Sequence, residues 1–215
     1  MNATTPAGRV LIADDHAVVR MGFRLLLEGA GWDVVGEADS GEAALVAHAR
    51  LQPDVLMMDV SMPGIGGLAA LERLRARTPA ARVLMLSAHD DAQIPARALR
   101  AGASGYLSKR ALPQELLRAL AAVARGERYI GAEIAQQLAL AQLDGSADPL
   151  SALTEKEFEV FLQLARGHSV AEIASRHCLS ASTVGTHLYH IKQKLSVSNA
   201  AELALLAVRS GLIEN

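Results

Sequence analysis

The chain has 215 residues, 51% of them apolar and only 3% aromatic, enough for one domain of ordinary size and a smaller second one. Twenty-one Lys and Arg stand against 23 Asp and Glu, a formal charge of -2, so the whole molecule is neither a polycation for nucleic acid nor a membrane-surface binder. Cys178 is the single cysteine, which excludes an internal disulfide. No apolar run approaches the roughly 20 residues of a membrane span, and residues 1–9 carry no signal-peptide pattern, so a cytoplasmic protein without a membrane partner is expected.

In chain order, Val10 to Ala13 reads as a strand running through Asp14-Asp15-His16 into a helix with Val19, Phe23, Leu26 and Leu27 on its apolar face. Val34-Val35 with Ala38 suggests a second strand. Ser40 is placed to cap a helix from Gly41 to about Leu51, which Pro53 ends. Val55 to Asp59 is wholly apolar up to its final carboxylate and reads as a buried parallel strand. The glycine-rich loop Gly64 to Gly67 precedes a helix carrying Leu68, Leu71 and Leu74, stopped at Thr78-Pro79. Val83 to Leu86 runs into Ser87. A helix within Asp91 to Ala101 contains Pro95 and should start late or be irregular there. Gly105 to Ser108 runs into Lys109, and Pro113 opens a helix through Leu116, Leu117, Leu120 and Val123.

Strict β-then-α alternation predicts one doubly wound parallel sheet of five strands in the order 2-1-3-4-5. That order sets the ends of strands one and three side by side. Asp14, Asp15 and Asp59 then converge, with Ser87 and Lys109 on the same rim. Three carboxylates so close repel one another and recruit a cation, and an all-oxygen site suits Mg²⁺, or Mn²⁺ in its place. A phosphoryl group on Asp59 would have its charge shared between that metal and Lys109, with the Ser87 hydroxyl donating to a further oxygen. Taken singly each residue has a plainer reading, Asp15 as a helix cap and Lys109 as a solvated surface lysine. Their conjunction at four strand ends carries the argument. No phosphate-cradling GxxxxGK[ST] run, HExxH pair or Ser-His-Asp set is present, and no enzyme is expected.

Residues 130–143 have a helical pattern, and Asp144-Gly145-Ser146-Ala147-Asp148-Pro149 reads as a linker. We therefore divide the chain into residues 1–128, a linker with a helix over 129–149, and an all-helical domain over 150–215. Thr154-x-x-Glu157 and Ser169-x-x-Glu172 are capping boxes that open two helices. The turn Cys178-Leu179-Ser180, with Cys178 a small buried apolar residue, leads to a third helix over Ala181 to Leu195. Ser198 is placed to cap a fourth, with Leu203, Leu206 and Val208 in its core or on a dimer surface. Two short helices joined by a tight turn make a helix-turn-helix.

These motifs carry a resemblance. Asp14-Asp15-His16 with Arg20 and Gly22, Asp59-Val60-Ser61-Met62-Pro63-Gly64, Ser87-Ala88 and Gly102 to Lys109 are similar to the flavodoxin-like receiver domain of bacterial two-component response regulators. Leu153 to Ile213 resembles the NarL/LuxR-type helix-turn-helix. The resemblance implies that Asp59 accepts phosphate from a histidine kinase or a small phosphodonor. It implies Mg²⁺ on Asp15, Asp59 and the Ser61 carbonyl, with Asp14 acting through water, and a conformational switch formed by Ser87 and Tyr106. It implies transcription control through double-stranded DNA, and a homodimer when phosphorylated. Gly66 stands where such loops commonly carry an acid.

The resemblance places Ala181 to Leu195 as the recognition helix. Arg176, Ser182, Thr183, Thr186, His187, Tyr189, His190, Lys192 and Lys194 are the candidate DNA contacts, with Val184, Leu188, Ile191 and Leu195 facing the core. Relatives commonly carry Lys at the positions of Gly185 and Tyr189. The domain balances six cations against six acids, yet residues 173–201 hold no acid, so the basic character is local. A phosphorylation-gated protein-interaction module with weakened or lost DNA binding is the alternative function.

Overall fold

The structure, a computed structural model, describes residues 7–88, 93–143, 149–177, 179–210 and 212–213. The chain divides into two compact units, Met1–Ala139 and Leu140–Asn215. The linker-like residues 144–148 and Cys178 lie outside the described residues.

In the first unit the strands are β1 (Arg9–Ala13), β2 (Asp33–Ala38), β3 (Val55–Asp59), β4 (Val83–Ser87), β5 (Gly105–Ser108) and β6 (Tyr129–Ile130). The helices are α1 (Ala17–Gly29), α2 (Gly41–Leu51), α3 (Gly66–Arg77), α4 (Gln93–Arg100), α5 (Pro113–Ala124) and α6 (Ala132–Leu143). All strands are parallel, in the order β2-β1-β3-β4-β5-β6. The predicted order is therefore observed, with a sixth strand added at the edge. Ile130, read from sequence as the start of a helix, instead pairs with Tyr106 of β5, and the Gly131 amide donates to the Tyr106 carbonyl at 3.0 Å. Two residues are too few to carry a strand's alternation, so no periodicity marked them.

Every residue of β3, β4 and β5 is buried. That explains their unbroken apolar runs, because a central parallel strand is covered on both faces. Leu116, Leu120 and Val123 of α5 close one side of the core over Val10, Ile12, Met57, Leu84 and Leu86. Pro113 is the first residue of α5 and Pro95 the third of α4, positions whose amides have no intrahelical acceptor in any helix. Ser40 caps α2 as expected, its hydroxyl accepting from the Ala43 amide.

The last residues of α6 fall in the second unit, where a 3-10 turn at Pro149–Ala152 is followed by α7 (Glu155–Ala165), α8 (Val170–Arg176), α9 (Ala181–Leu195) and α10 (Ala200–Arg209). Both capping boxes close reciprocally, Thr154 with Glu157 and Ser169 with Glu172. The cap of α10 is Asn199 rather than Ser198: its side-chain oxygen accepts from the Glu202 amide at 2.9 Å, while the Ser198 amide donates to the Glu202 carboxylate at 2.6 Å. Glu202 sits three residues after Asn199, the spacing a cap requires. Phe158, Phe161, Ile173, Val184, Ile191 and Leu203 are fully buried and form the helical core.

Candidate functional site

The parallel register determines which side chains meet at the carboxyl edge of the sheet. β1 lies beside β3, so Asp14, just beyond β1, faces Asp59 at the end of β3, and both are buried. Lys109 follows β5 two strands away. Its amide donates to the Ser87 carbonyl at 2.7 Å, and its ammonium reaches back to lie 2.6 Å from Asp14 Oδ2 and 2.8 Å from Asp59 Oδ2. Burial pushes the Asp59 carboxyl up to about 6, with Lys109 and the Ser61 amide pulling it down and Asp14 adding to the rise. Burial alone would lower the Lys109 ammonium, but Asp59 and Asp14 outweigh it and hold it above its ordinary value.

Several neighbours hold the two acids in place. Asp14 Oδ1 accepts the His16 amide at 2.9 Å, and the Arg20 guanidinium donates to the Asp14 carbonyl at 2.6 Å while binding Glu37 of β2 through Nε. On the Asp59 side, a Cβ on Gly67 would stand 2.0 Å from the Asp59 carbonyl, so only glycine lets α3 start this close. Gly66 takes φ +74°, a left-handed conformation that favours glycine over an acid. The Glu42 carboxylate from α2 instead binds this loop, accepting the Ile65 amide at 3.0 Å.

Asp14, Asp15, His16 and Asp59 each offer a ligand atom within 4.8 Å of the others. Three carboxylates against one ammonium leave an excess of negative charge, and the donor set, mainly hard oxygens, fits a divalent cation. Ser61 is exposed at the rim, with its amide hydrogen-bonded to Asp59. Ser87 ends β4 and is buried. Tyr106 is fully buried on β5, between Met85 of β4 and Ile130 of β6.

In the second unit Arg176, Ser182, Thr183, Thr186, Tyr189, His190 and Lys194 are exposed, while His187 and Lys192 are half-buried. The predicted inward face is confirmed for Val184 and Ile191, with Leu188 and Leu195 half-buried. Leu203 of α10 is in the core, and Leu206 and Val208 are half-buried. Two of the candidate cations are engaged inside the domain. Lys192 Nζ donates to the Ser198 carbonyl at 2.8 Å, and Lys194 Nζ to the Glu157 carboxylate of α7 at 2.5 Å. Burial pushes the His187 imidazole down, with Glu157 opposing the shift.

Residues 10–121 match the family described as response regulator receiver domain, and residues 151–207 match bacterial regulatory proteins, luxR family. The chain belongs to the LuxR-type response regulators. It is 43% identical over 209 residues to the response regulator GacA of Pseudomonas aeruginosa, covering 96% of this chain and 98% of that one. To the response regulator UvrY of Escherichia coli it is 42% identical over 206 residues, covering 94% of each. Among solved structures, RcsB of Salmonella enterica bound to the rprA promoter in the presence of phosphomimetic BeF3- is similar with a TM-score of 0.67 and 28% identity, over 93% of this chain and 97% of that one. The matched families are those of regulatory proteins rather than enzymes. No helix among the described residues of this response regulator is long and apolar enough to cross a membrane.

Three contributors to these sites escaped the sequence reading. His16 and Arg20 stood inside the quoted receiver motif without a role, and only the fold brings the His16 imidazole to 2.7 Å from Asp15 and the Arg20 guanidinium to the Asp14 carbonyl. The Glu157 contact with Lys194 spans 37 residues, and nothing in the spacing announces it.

Proposed function

We propose that this response regulator is phosphorylated on Asp59 by a sensor histidine kinase and, once phosphorylated, controls transcription as a homodimer on double-stranded DNA in the cytoplasm. One observation carries the reading. Asp59 is a buried acid at the sheet's rim, contacted by the ammonium that would neutralise a new phosphoryl group. Above about pH 6 its carboxylate is ionised and can attack phosphorus, forming the acyl phosphate as the donor's bond to phosphorus breaks. Asp14, Asp15, Asp59 and the Ser61 carbonyl would hold Mg²⁺ or Mn²⁺, which when bound supplies positive charge to a phosphoryl oxygen. Lys109 neutralises a second oxygen, and Ser87, one strand over, supplies a hydroxyl for the third. Tyr106 already points inward, fully buried on β5, so drawing Ser87 toward the phosphoryl group repacks the space beside β4 around an inward ring, the packing change that signals the state of Asp59.

At the output end, Arg176, Ser182, Thr183, Thr186, Tyr189 and His190 present the exposed face that would enter the major groove, with half-buried His187 and Lys192 at its margin. The boundaries 1–128, 129–149 and 150–215 remain our division into receiver, linker and DNA-binding domain. So few cations make one domain a weak binder, and two half-site contacts in a dimer raise the affinity. The engagement of Lys192 and Lys194 inside the domain favours one other reading, a phosphorylation-gated protein-interaction module.

The test is the full chain with labelled acetyl phosphate and Mg²⁺. We expect label on Asp59, none on the Asp59→Asn variant, and a phosphorylation-dependent mobility shift of genomic DNA fragments. Absence of label on the unaltered chain would sink the phosphorylation reading, and label without any DNA shift would favour the protein-interaction module.

A further inference from the structure

Glu157 is an odd residue to find beside a DNA-reading helix. It is almost fully buried, with one face of its carboxylate closing the capping box of α7: Oε2 accepts the Thr154 amide at 2.8 Å and the Thr154 hydroxyl at 3.0 Å. The same oxygen accepts the Lys194 ammonium at 2.5 Å, and Oε1 lies 3.8 Å from His190 Nδ1. Lys194 and His190 are four residues apart, on one face of the C-terminal half of α9. A single carboxylate thus joins the start of α7 to the last two turns of the recognition helix. Burial pulls the Glu157 carboxyl up, but Lys194 and Thr154 outweigh it and hold it below its ordinary value, as expected for a buried acid kept charged by its partners.

We infer that Lys194 is not a phosphate contact but a strut: with Glu157 it forms a positioning pair that sets how α9 is presented to DNA. The inference rests on the DNA-binding reading above. A lysine that delivers charge to DNA must bring a cation the protein does not itself neutralise, because affinity comes from counterions released per phosphate neutralised. Lys194 is already neutralised, and pulling it onto a phosphate would strand the buried Glu157 carboxylate. Helix α9 also packs on α7, and both carry buried apolar side chains, Phe158 and Phe161 on α7 and Val184 and Ile191 on α9; apolar packing resists separation but permits sliding. A directional ion pair near the far end of the helix fixes its rotation and register against α7.

Simple electrostatics and the strut predict opposite signs for one substitution. Removing the negative charge of Glu157 brings the domain nearer to a net cation, which by charge alone tightens binding to any DNA. If the pair positions α9, Glu157→Gln instead weakens binding to a preferred sequence. Gln still offers an oxygen to the Thr154 amide, so α7 keeps its cap acceptor.

The experiment uses the full chain, treated with acetyl phosphate and Mg²⁺, and a duplex it enriches from a random-sequence library, with poly(dI-dC) as the non-specific probe. Glu157→Gln and Lys194→Met should each weaken binding to the enriched duplex by about tenfold, and the double variant no further. Binding to poly(dI-dC) should change by less than about twofold, and the slope of log affinity against log salt should stay where it was. Lys194→Arg, which keeps the pair, should restore binding. Circular dichroism and thermal melting confirm that each variant is folded, and Lys194→Met alone decides the matter if Glu157→Gln does not fold. A salt slope shallower by about 0.9 in Lys194→Met, or tighter binding by folded Glu157→Gln, would overturn the strut and make Lys194 a phosphate contact. If no duplex is enriched at all, the DNA-binding reading fails and takes the strut with it.

Discussion

The receiver rim and the recognition helix both bring a lysine to a buried carboxylate distant in sequence, yet the two sites are balanced differently. At the rim one ammonium serves two buried acids, with a third carboxylate nearby. In the helical unit one lysine serves one acid, and the remaining hydrogen bonds of that acid go to a helix cap. Surplus buried charge is costly, and a site that carries it is poised to take up a cation or a phosphoryl group. A buried acid balanced by one partly exposed lysine has nothing further to take up, and the role of the pair is to hold two helices in register.

The sharpest way to break this comparison is to titrate the two carboxylates. The folded-state value of Asp59, about 6, lies above its ordinary 3.8, so the folded rim binds a proton more tightly than the unfolded chain does. Its cost is absent below about pH 3.8, grows as pH rises through about 6, and at neutral pH is on the order of 3 kcal/mol. Asp59→Asn should therefore stabilise the first unit by about that amount at pH 7 in metal-free buffer, and by almost nothing near pH 4. Urea unfolding at the two pH values measures it. Equal effects at both would show that the rim carries no surplus charge.

A second prediction concerns how closely the rim is packed. Gly67→Ala places a methyl group against the Asp59 carbonyl and should cost roughly 1–3 kcal/mol and displace the acceptor, slowing labelling by acetyl phosphate. Gly22→Ala has open space around its new Cβ and is the matched control. If labelling falls equally in both, the close approach of α3 to β3 is not what positions Asp59.

Glu157 should titrate with the opposite sign. Its folded-state value is below the ordinary 4.5, so its contribution is fully present above about that pH and is lost as pH falls through the depressed value. Acid that relieves the rim therefore loosens the helical unit. Hydrogen exchange across the two units between pH 7 and 4 in metal-free buffer should show protection rising in β3 and falling at the start of α7 once intrinsic exchange rates are divided out. The second change should be smaller than the first, because solvent screens the partly exposed Lys194.

How much of this was legible beforehand follows from the same contrast. The acids and the lysine of the rim end apolar strands, and the parallel topology that β-then-α alternation dictates leaves those ends one place to go. Asp14, Asp59 and Lys109 could thus be placed from the string alone. The sixth strand could not, since Tyr129-Ile130 is too short to show a period and is fixed only by its pairing to β5. Nor could the state of Lys194, which looks like a surface cation until α7 is folded against α9. The cap of α10 was misread by one residue because Ser198 and Asn199 are both good caps, and the position of Glu202 decides between them.

The smallest effect tests the output end by adding charge rather than removing it. Gly185 lies on α9, where a Cβ would meet nothing within 4 Å. Gly185→Lys removes the helix penalty of glycine, worth under about 1 kcal/mol, and brings a cation that the domain has no acid nearby in sequence to neutralise. It should tighten binding to the enriched duplex and to poly(dI-dC) alike by a few-fold, and steepen the salt slope by about 0.9. Lys194→Met, in contrast, should weaken only the enriched duplex and leave the slope alone. A pair of measurements on two positions of one helix thus separates a lysine that touches phosphate from a lysine that steadies the helix, and identical salt behaviour at both would erase the distinction between surplus and balanced charge on which the comparison stands.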